Sequence, residues 1–312
     1  MATLQKSLLP TKEPTHTYYA NADVISAMLE QPIERDIERQ AVVDLPTNGG
    51  YKYKPADPLR VEGIISYRSG YTQVAGHPSS KLRGFTTTAT SVVEDLNVLD
   101  VLTADRVVGQ ISTTHPIFGD GEGEGQVPSV TFLGTRFDNL RIGGHRVEIG
   151  RSLDILGPKP EGDRSYFEDG GVFSRIAHQY ANIKRVSDLP DWAGEEFNWD
   201  EAEVQRQNQM KCSLVTGVSG APGISFGHVI DVPHFGRIFL GELKVERERA
   251  NGTSKADVPQ PDKYKFHLNM IRLELGCLAK GSAKIVALDT NGVGGKGGPK
   301  PPPPPPPPTL AR

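Results

Sequence analysis

Between Gly84 and Leu288 apolar residues recur at every second position in one short run after another. In RVVGQIS, Val107, Gly109 and Ile111 fall on one face and Arg106, Val108 and Gln110 on the other. A strand sends successive side chains to opposite faces, so this rhythm marks half-buried β-strands. VTFLGTRF repeats it. LRIGGHRVEI adds a turn: Leu140 and Ile142 precede Gly143-Gly144, and Val147 and Ile149 follow. Two glycines between alternating runs predict a hairpin, because a two-residue turn needs positive φ. After Lys211 come CSLV, HVIDV, RIFLGELKV, FHLNMIRLEL and AKIVAL, with turns at VPHFG, NGT and Pro259–Pro261. Many short strands spaced by turns predict an all-β fold, β-sandwich-like and two-layered, over a βαβ sheet.

The rhythm changes in three places. Phe173, Ile176, Ala177, Tyr180, Ala181 and Ile183 share a helical face, which predicts a helical insertion at about 160–210 in a β body spanning 84–290. Residues 1–83 read as an extended N-terminal arm with one short helix from Ala22 to about Gln31, capped by Asn21 and stopped by Pro32. Residues 291–312 form a Gly/Pro-rich tail with eight consecutive prolines, Pro301–Pro308. Such a run predicts a polyproline II rod of roughly 25 Å. LNVLDVL (Leu96–Leu102) also echoes LNMIRLEL (Leu268–Leu275), which suggests two related β units packed as one core.

Composition bounds the function classes. Charged residues make up 23% and apolar ones 37% of 312, as in a folded globular protein. The net charge is −3 and no Lys/Arg stripe appears, which argues against nucleic acid as a partner. No apolar run approaches the ~18 residues of a membrane span, and the first residues lack the apolar region of a secretory signal. The expected location is cytoplasmic, with leaderless export as the alternative. Cys212 and Cys277, each flanked by apolar residues, are expected as two buried thiols on strands, with a disulfide as the alternative.

Five features carry candidate chemistry, each beside a plainer reading. Gly217-Val-Ser219-Gly-Ala-Pro resembles the nucleophile loop of trypsin-like proteases, with His115 and Asp154 in the matching chain order. Val218 and Ala221 depart from that loop, and a Gly/Ser/Pro turn between strands is the commoner origin. His228 and His234, six apart in a strand, stand too far apart to share a metal unless Pro233 reverses the chain. Asp120, Glu122 and Glu124 alternate with glycines and offer a weak Ca2+ site or a solvated hairpin tip. Trp192, Phe197 and Trp199 among acidic residues suit either docking on a basic protein partner or packing on the β body. Pro301, Pro304 and Pro308, with Lys296 and Lys300 upstream, suit an aromatic-lined groove on a partner or an inert spacer. No phosphate loop, zinc spacing or Glu/His helix motif appears, so no cofactor is expected beyond the calcium alternative.

The series ATSVVEDLNVLDVLTADRVVGQIS, VTFLGTRFDNLRIGGHRVEI, HVIDVPHFGRIFLGELKV and FHLNMIRLELGCLAKGSAKIVAL resembles uncharacterised bacterial β-rich proteins of the choice-of-anchor type. The resemblance covers about Gly84–Leu156 and Lys211–Leu288. It implies an all-β, non-enzymatic protein and carries no catalytic residue across. The chain shows neither leader nor terminal anchor of that type, which weighs against surface display. The sequence therefore predicts a structural or protein-interaction module whose arm and tail engage a partner or a second copy of itself. The alternatives are a hydrolase using Ser219 or the Asp120 loop, and a small-ligand or carbohydrate-binding β module.

Overall fold

The computed structural model describes residues 16–79, 84–116, 127–161, 164–249 and 262–292. The chain opens with β1 (Ala20–Gln31), β2 (Arg35–Ile37), β3 (Val43–Asp44), β4 (Gly50–Ala56), β5 (Leu59–Val61), β6 (Ile65–Tyr67) and β7 (Ser69–Ser79). Two long strands follow, β8 (Gly84–Val98) and β9 (Leu102–Pro116). Then come β10 (Ser129–Thr131), β11 (Arg136–Asp138), β12 (Arg141–Ile142), β13 (His145–Arg146) and β14 (Glu148–Arg151). The helical insertion holds α1 (Gly170–Lys184), α2 (Asp191–Glu196) and α3 (Glu201–Gln207). The chain returns to strand with β15 (Gln209–Ser213), β16 (Val215–Ser219), β17 (Ile224–Phe226), β18 (Val229–Val232), β19 (Gly236–Glu248), β20 (Lys263–Leu275) and β21 (Lys280–Gly292).

These strands build two large antiparallel sheets. A nine-stranded sheet runs β17-β18-β19-β20-β21-β1-β2, with β15 beside β19 and β3 beside β1. A ten-stranded sheet is centred on β8 and β9, with β7, β6, β4 and β5 on one side, β10 to β12 along β9, and β13 beside β12. The inner faces bury Ile25, Leu29, Val107, Ile111, Phe266, Leu268 and Leu288 in one core. The two layers touch closely at Gly109 of β9. A Cβ there would lie 2.7 Å from Val286 Cγ1 and 2.8 Å from Leu288 Cδ1, so no side chain fits. Ser91 Oγ of the second sheet also donates to the Asp23 carbonyl of the first, at 2.8 Å. The fold is thus all-β, with helices confined to a short insertion, as the alternation predicts.

One feature of the nine-stranded sheet departs from simple alternation. In β20 and β21 two consecutive residues are both buried, Met270-Ile271 and Ile285-Val286, and the pairing register with β19 and β1 skips a residue at the same level, beside Leu240-Gly241 and Val24-Ile25. On either side of the β20 and β21 pairs the two-residue rhythm resumes in the opposite phase. Gly241 (φ +63°) and Val286 (φ +58°) adopt left-handed backbone there. That conformation suits glycine and is costly for a β-branched residue. The break coincides with a change of neighbour at both flanks. The outer edge of β19 pairs β18 up to Phe239 and β15 from Glu242 onward. At the junction Leu240 N donates to the His228 carbonyl at 3.0 Å, and Leu214 N to the Gly241 carbonyl at 2.8 Å. On β1, β3 covers residues 21–22 and β2 covers 27–29, and Gln40 bridges the interval by bonding Val24 and Ile25. The backbone groups freed by the break are therefore satisfied by the segments that switch there.

Several expectations change. Residues 20–31 form strand β1, not the short helix expected from the Asn21 cap and Pro32 stop: β1 pairs with β21 from Ala20 to Gln31, and this tertiary pairing overrides the local signals. Residues 16–79 are no extended arm, since β1 to β7 supply strands to both sheets. The echo does not mark equivalent units. Leu96–Leu102 bends through a hairpin with Leu99 and Asp100 both at positive φ, whereas Leu268–Leu275 stays within the single strand β20. Cys277 is exposed in the turn between β20 and β21, while Cys212 is buried on β15, and both thiols are free. The Gly143-Gly144 hairpin forms as expected, pairing Ile142 with His145. Asp120, Glu122, Glu124, the NGT and Pro259–Pro261 turns, and Pro301, Pro304 and Pro308 lie outside the described residues.

Candidate functional site

The phase break has an outward side. Where two consecutive side chains turn inward, the outer face loses one row of side chains and a trough opens between the residues that flank it. Register places those residues in two banks. Asp23, Ala287, Asn269 and Glu242 face one another across β1, β21, β20 and β19. Ser26, Lys284, Arg272 and Phe239 form the opposite bank on the same four strands. A groove of about 640 Å³ runs along the trough, lined by both banks apart from Phe239, with Arg39 at the β1 end and Tyr180, Glu196, Phe197 and His228 at the β19 end.

The helical insertion roofs that second end. Asp169 caps α1 by accepting from Val172 N. Gln179 fixes α1 to the sheet, donating to the Ser213 and Val215 carbonyls and accepting from Ser213 N at 2.8 Å. Ile183, Ala193 and Phe197 then pack on Phe226, Val229 and Phe239, making a small second core outside the sheet. The aromatic residues singled out in the sequence belong to this roof. Trp192 sits 5.6 Å from Phe226, with the Arg237 guanidinium 3.7 Å over its ring. Trp199 meets Phe173 at 5.5 Å and Tyr180 at 5.7 Å, and Phe197 is buried.

The carboxylates of the groove are paired. Arg272 spans the trough and holds Glu242 with both Nε (2.7 Å) and Nη2 (2.9 Å), while Nη1 donates to Glu274 and Nη2 reaches Glu196 at 3.4 Å. Its guanidinium lies 3.5 Å above the Phe239 ring. Burial raises the Glu196 pKa, reinforced by Glu274 and Glu242 and opposed by Arg272. His267 bridges Asp289 (2.6 Å) and Glu246 (3.2 Å). Burial works against the Glu246 carboxylate, but bonds from Lys244 and His267 outweigh it and bring its pKa down to about 2. At the far end Arg39 Nε donates to Asp23 Oδ2 at 2.6 Å, whereas Oδ1 has no partner among the described residues. Burial raises the Asp23 pKa against the pull of Arg39. Lys284 forms no ion pair among the described residues and acts on Asp23 only through space.

Two groups in the groove are unsuited to nucleophilic or proton-transfer chemistry near neutral pH. Burial pushes the Cys212 thiol up to about 12, so it stays protonated. His228 is buried with no partner for Nδ1 among the described residues, and burial lowers its pKa to about 4, so it is neutral. The protease-like residues sit on three separate elements. Ser219 is exposed at the end of β16, opposite Glu148. His115 is buried with its ring 4.8 Å from that of His16. Asp154 accepts from Ser152 in the loop after β14. His228 and His234 lie in the turns at the two ends of β18, where Pro233 does reverse the chain. Among the described residues no cluster of three or more His, Cys, Asp or Glu is placed to hold a metal, and no helix is long and apolar enough to cross a membrane.

Sequence reasoning missed the groove because its residues come from both ends of the chain. The available signal was an interruption of alternation by adjacent apolar residues in four runs, at Val24-Ile25, Ile238–Gly241, Met270-Ile271 and Ile285–Leu288. A family model described as a domain of unknown function (DUF8256) matches residues 16–246. The match ends inside β19, so β20 and β21, which carry half of each bank, lie beyond it. No curated protein and no solved structure matches the chain.

Proposed function

We propose that the chain, which belongs to the DUF8256 family, is a β-sandwich recognition module holding a small polar ligand in the groove. The observation that carries this reading is the phase break shared by four strands, which opens a trough of about 640 Å³ in an otherwise continuous sheet face. Pockets of ~300–1,000 Å³ with a few fixed polar groups are the usual seats of small ligands. The ion-pair network of Arg272, Glu242 and Glu196, together with the Gln179 anchor, holds the wall side chains in place, and pre-ordered walls lower the entropic cost of binding. Recognition also accords with the chemistry of the lining, where the thiol is protonated and the buried imidazole neutral.

A thermal-shift screen against small polar metabolites and glycans tests this reading. Ala287 sits between Asp23 and Asn269 on one bank, so Ala287→Trp fills the trough. At least one compound is expected to raise the wild-type melting temperature by about 3 °C or more, as ligand linkage requires. The folded Ala287→Trp variant is expected to show no such rise. A rise that persists undiminished in Ala287→Trp, or a library in which nothing stabilises the wild type, contradicts it.

A further inference from the structure

We infer that the ligand of this groove is a neutral oligosaccharide of two or three residues; the inference rests on the recognition reading above. The first ground is charge. Each carboxylate of the groove already faces a cationic or ionisable partner: Asp23 meets Arg39, Glu242 and Glu196 meet Arg272, and Asp289 meets His267. A cationic ligand would have to displace one member of a pair and leave the other desolvated and alone, which is costly, and an anionic one would meet unpaired ammonium groups, among the described residues, only at Lys284 and Lys211, in a lining that also holds four carboxylates. A hydroxyl avoids that cost. It donates to a carboxylate oxygen and accepts from the neighbouring ammonium or guanidinium at once, so both charges keep their partners. Vicinal hydroxyls repeat this donor–acceptor pattern along a sugar.

The second ground is length. The banks cross four adjacent strands, a span of ~14 Å at ~4.8 Å per strand, which suits two or three pyranose rings. The third is the mixture of groups along it. Asn269 offers an amide that both donates and accepts, and Ser26 offers a hydroxyl. Lys284 has an ammonium that no carboxylate claims among the described residues. Asp23 Oδ1 has no donor among the described residues. Tyr180 lines the β19 end of the groove, where an aromatic ring can cover the apolar face of a terminal sugar.

Isothermal titration tests the inference with maltotriose, cellotriose, xylotriose, mannotriose and galactotriose as neutral probes, trigalacturonate as the anionic probe and spermidine as the cationic one. At least one neutral trisaccharide is expected to bind saturably. Lys284→Ala and Asn269→Ala, checked for native circular dichroism and melting temperature, are each expected to weaken it about tenfold, and Ala287→Trp to abolish it. Saturable binding confined to trigalacturonate or spermidine, and blocked by Ala287→Trp, overturns the neutral-sugar inference while leaving recognition in the groove intact. Failure of every probe also overturns it, and recognition itself then stands or falls on the metabolite screen. Neutral-sugar binding that all three substitutions leave unchanged places the sugar elsewhere and overturns the inference too.

Discussion

His228 turns its imidazole edge-on to Phe197, with ring centroids 5.4 Å apart and planes at 89°. It sits beneath the roof at the β19 end of the groove. Burial lowers its pKa from 6.5 to about 4. Between those values the unfolded chain takes up a proton that the folded chain refuses. Stability from this residue is therefore complete above pH 6.5 and declines as pH falls toward 4. The loss between pH 7 and pH 4.5 is on the order of 2–3 kcal/mol. Urea unfolding at the two pH values is expected to show a smaller drop for His228→Gln than for the wild type, by about that amount. Equal drops would show that the imidazole titrates freely. At this scale the sequence is readable where a residue type dictates its own backbone. Gly143-Gly144 announces its hairpin, and Gly109 belongs to the inward set of β9. Leu99-Asp100 announces nothing. Both residues take positive φ without glycine, and the turn is held by paired bonds between the Asn97 amide and Asp100.

Strands are legible by alternation, and the same criterion explains the error at β1. A strand that shifts phase loses clean alternation, and Asn21 before it and Pro32 after it then read as the cap and stop of a helix. Only tertiary pairing decides between the two, and β21 supplies it by pairing with β1 from Ala20 to Gln31. The order of strands was less legible still. β1 is joined to β19 only through β21 and β20, although some 200 residues of chain separate them. Removing β20 and β21 would leave two long unpaired edges in the middle of the sheet and expose the inner face of β9. A chain ending at Glu248, just past the family match, is therefore expected to show no cooperative urea transition by circular dichroism. A transition as sharp as that of the full chain would mean that the first 248 residues fold without the strands that close the sheet.

Over the whole molecule, the two-layered core and the helical insertion follow from hydrophobic pattern, whereas the groove follows from the coincidence of four local defects. Each apolar pair in isolation reads as noise. Aligned by register they bend a sheet, turn two rows of polar side chains toward each other, and give an insertion a place to rest. Roofing that end required the aromatic cluster of Trp192, Phe197 and Trp199, which is why aromatic residues gather in an otherwise acidic segment. Recognition in the groove depends on this alignment being real. Thiol labelling along β21 measures it directly. In a Cys277→Ser background, single cysteines are placed at Lys284, Ile285, Val286 and Ala287 and exposed to a maleimide under native conditions. The phase break predicts rapid labelling at 284 and 287 and protection at both 285 and 286. Labelling at 284 and 286 with protection at 285 and 287 would mean unbroken alternation, and with it no trough.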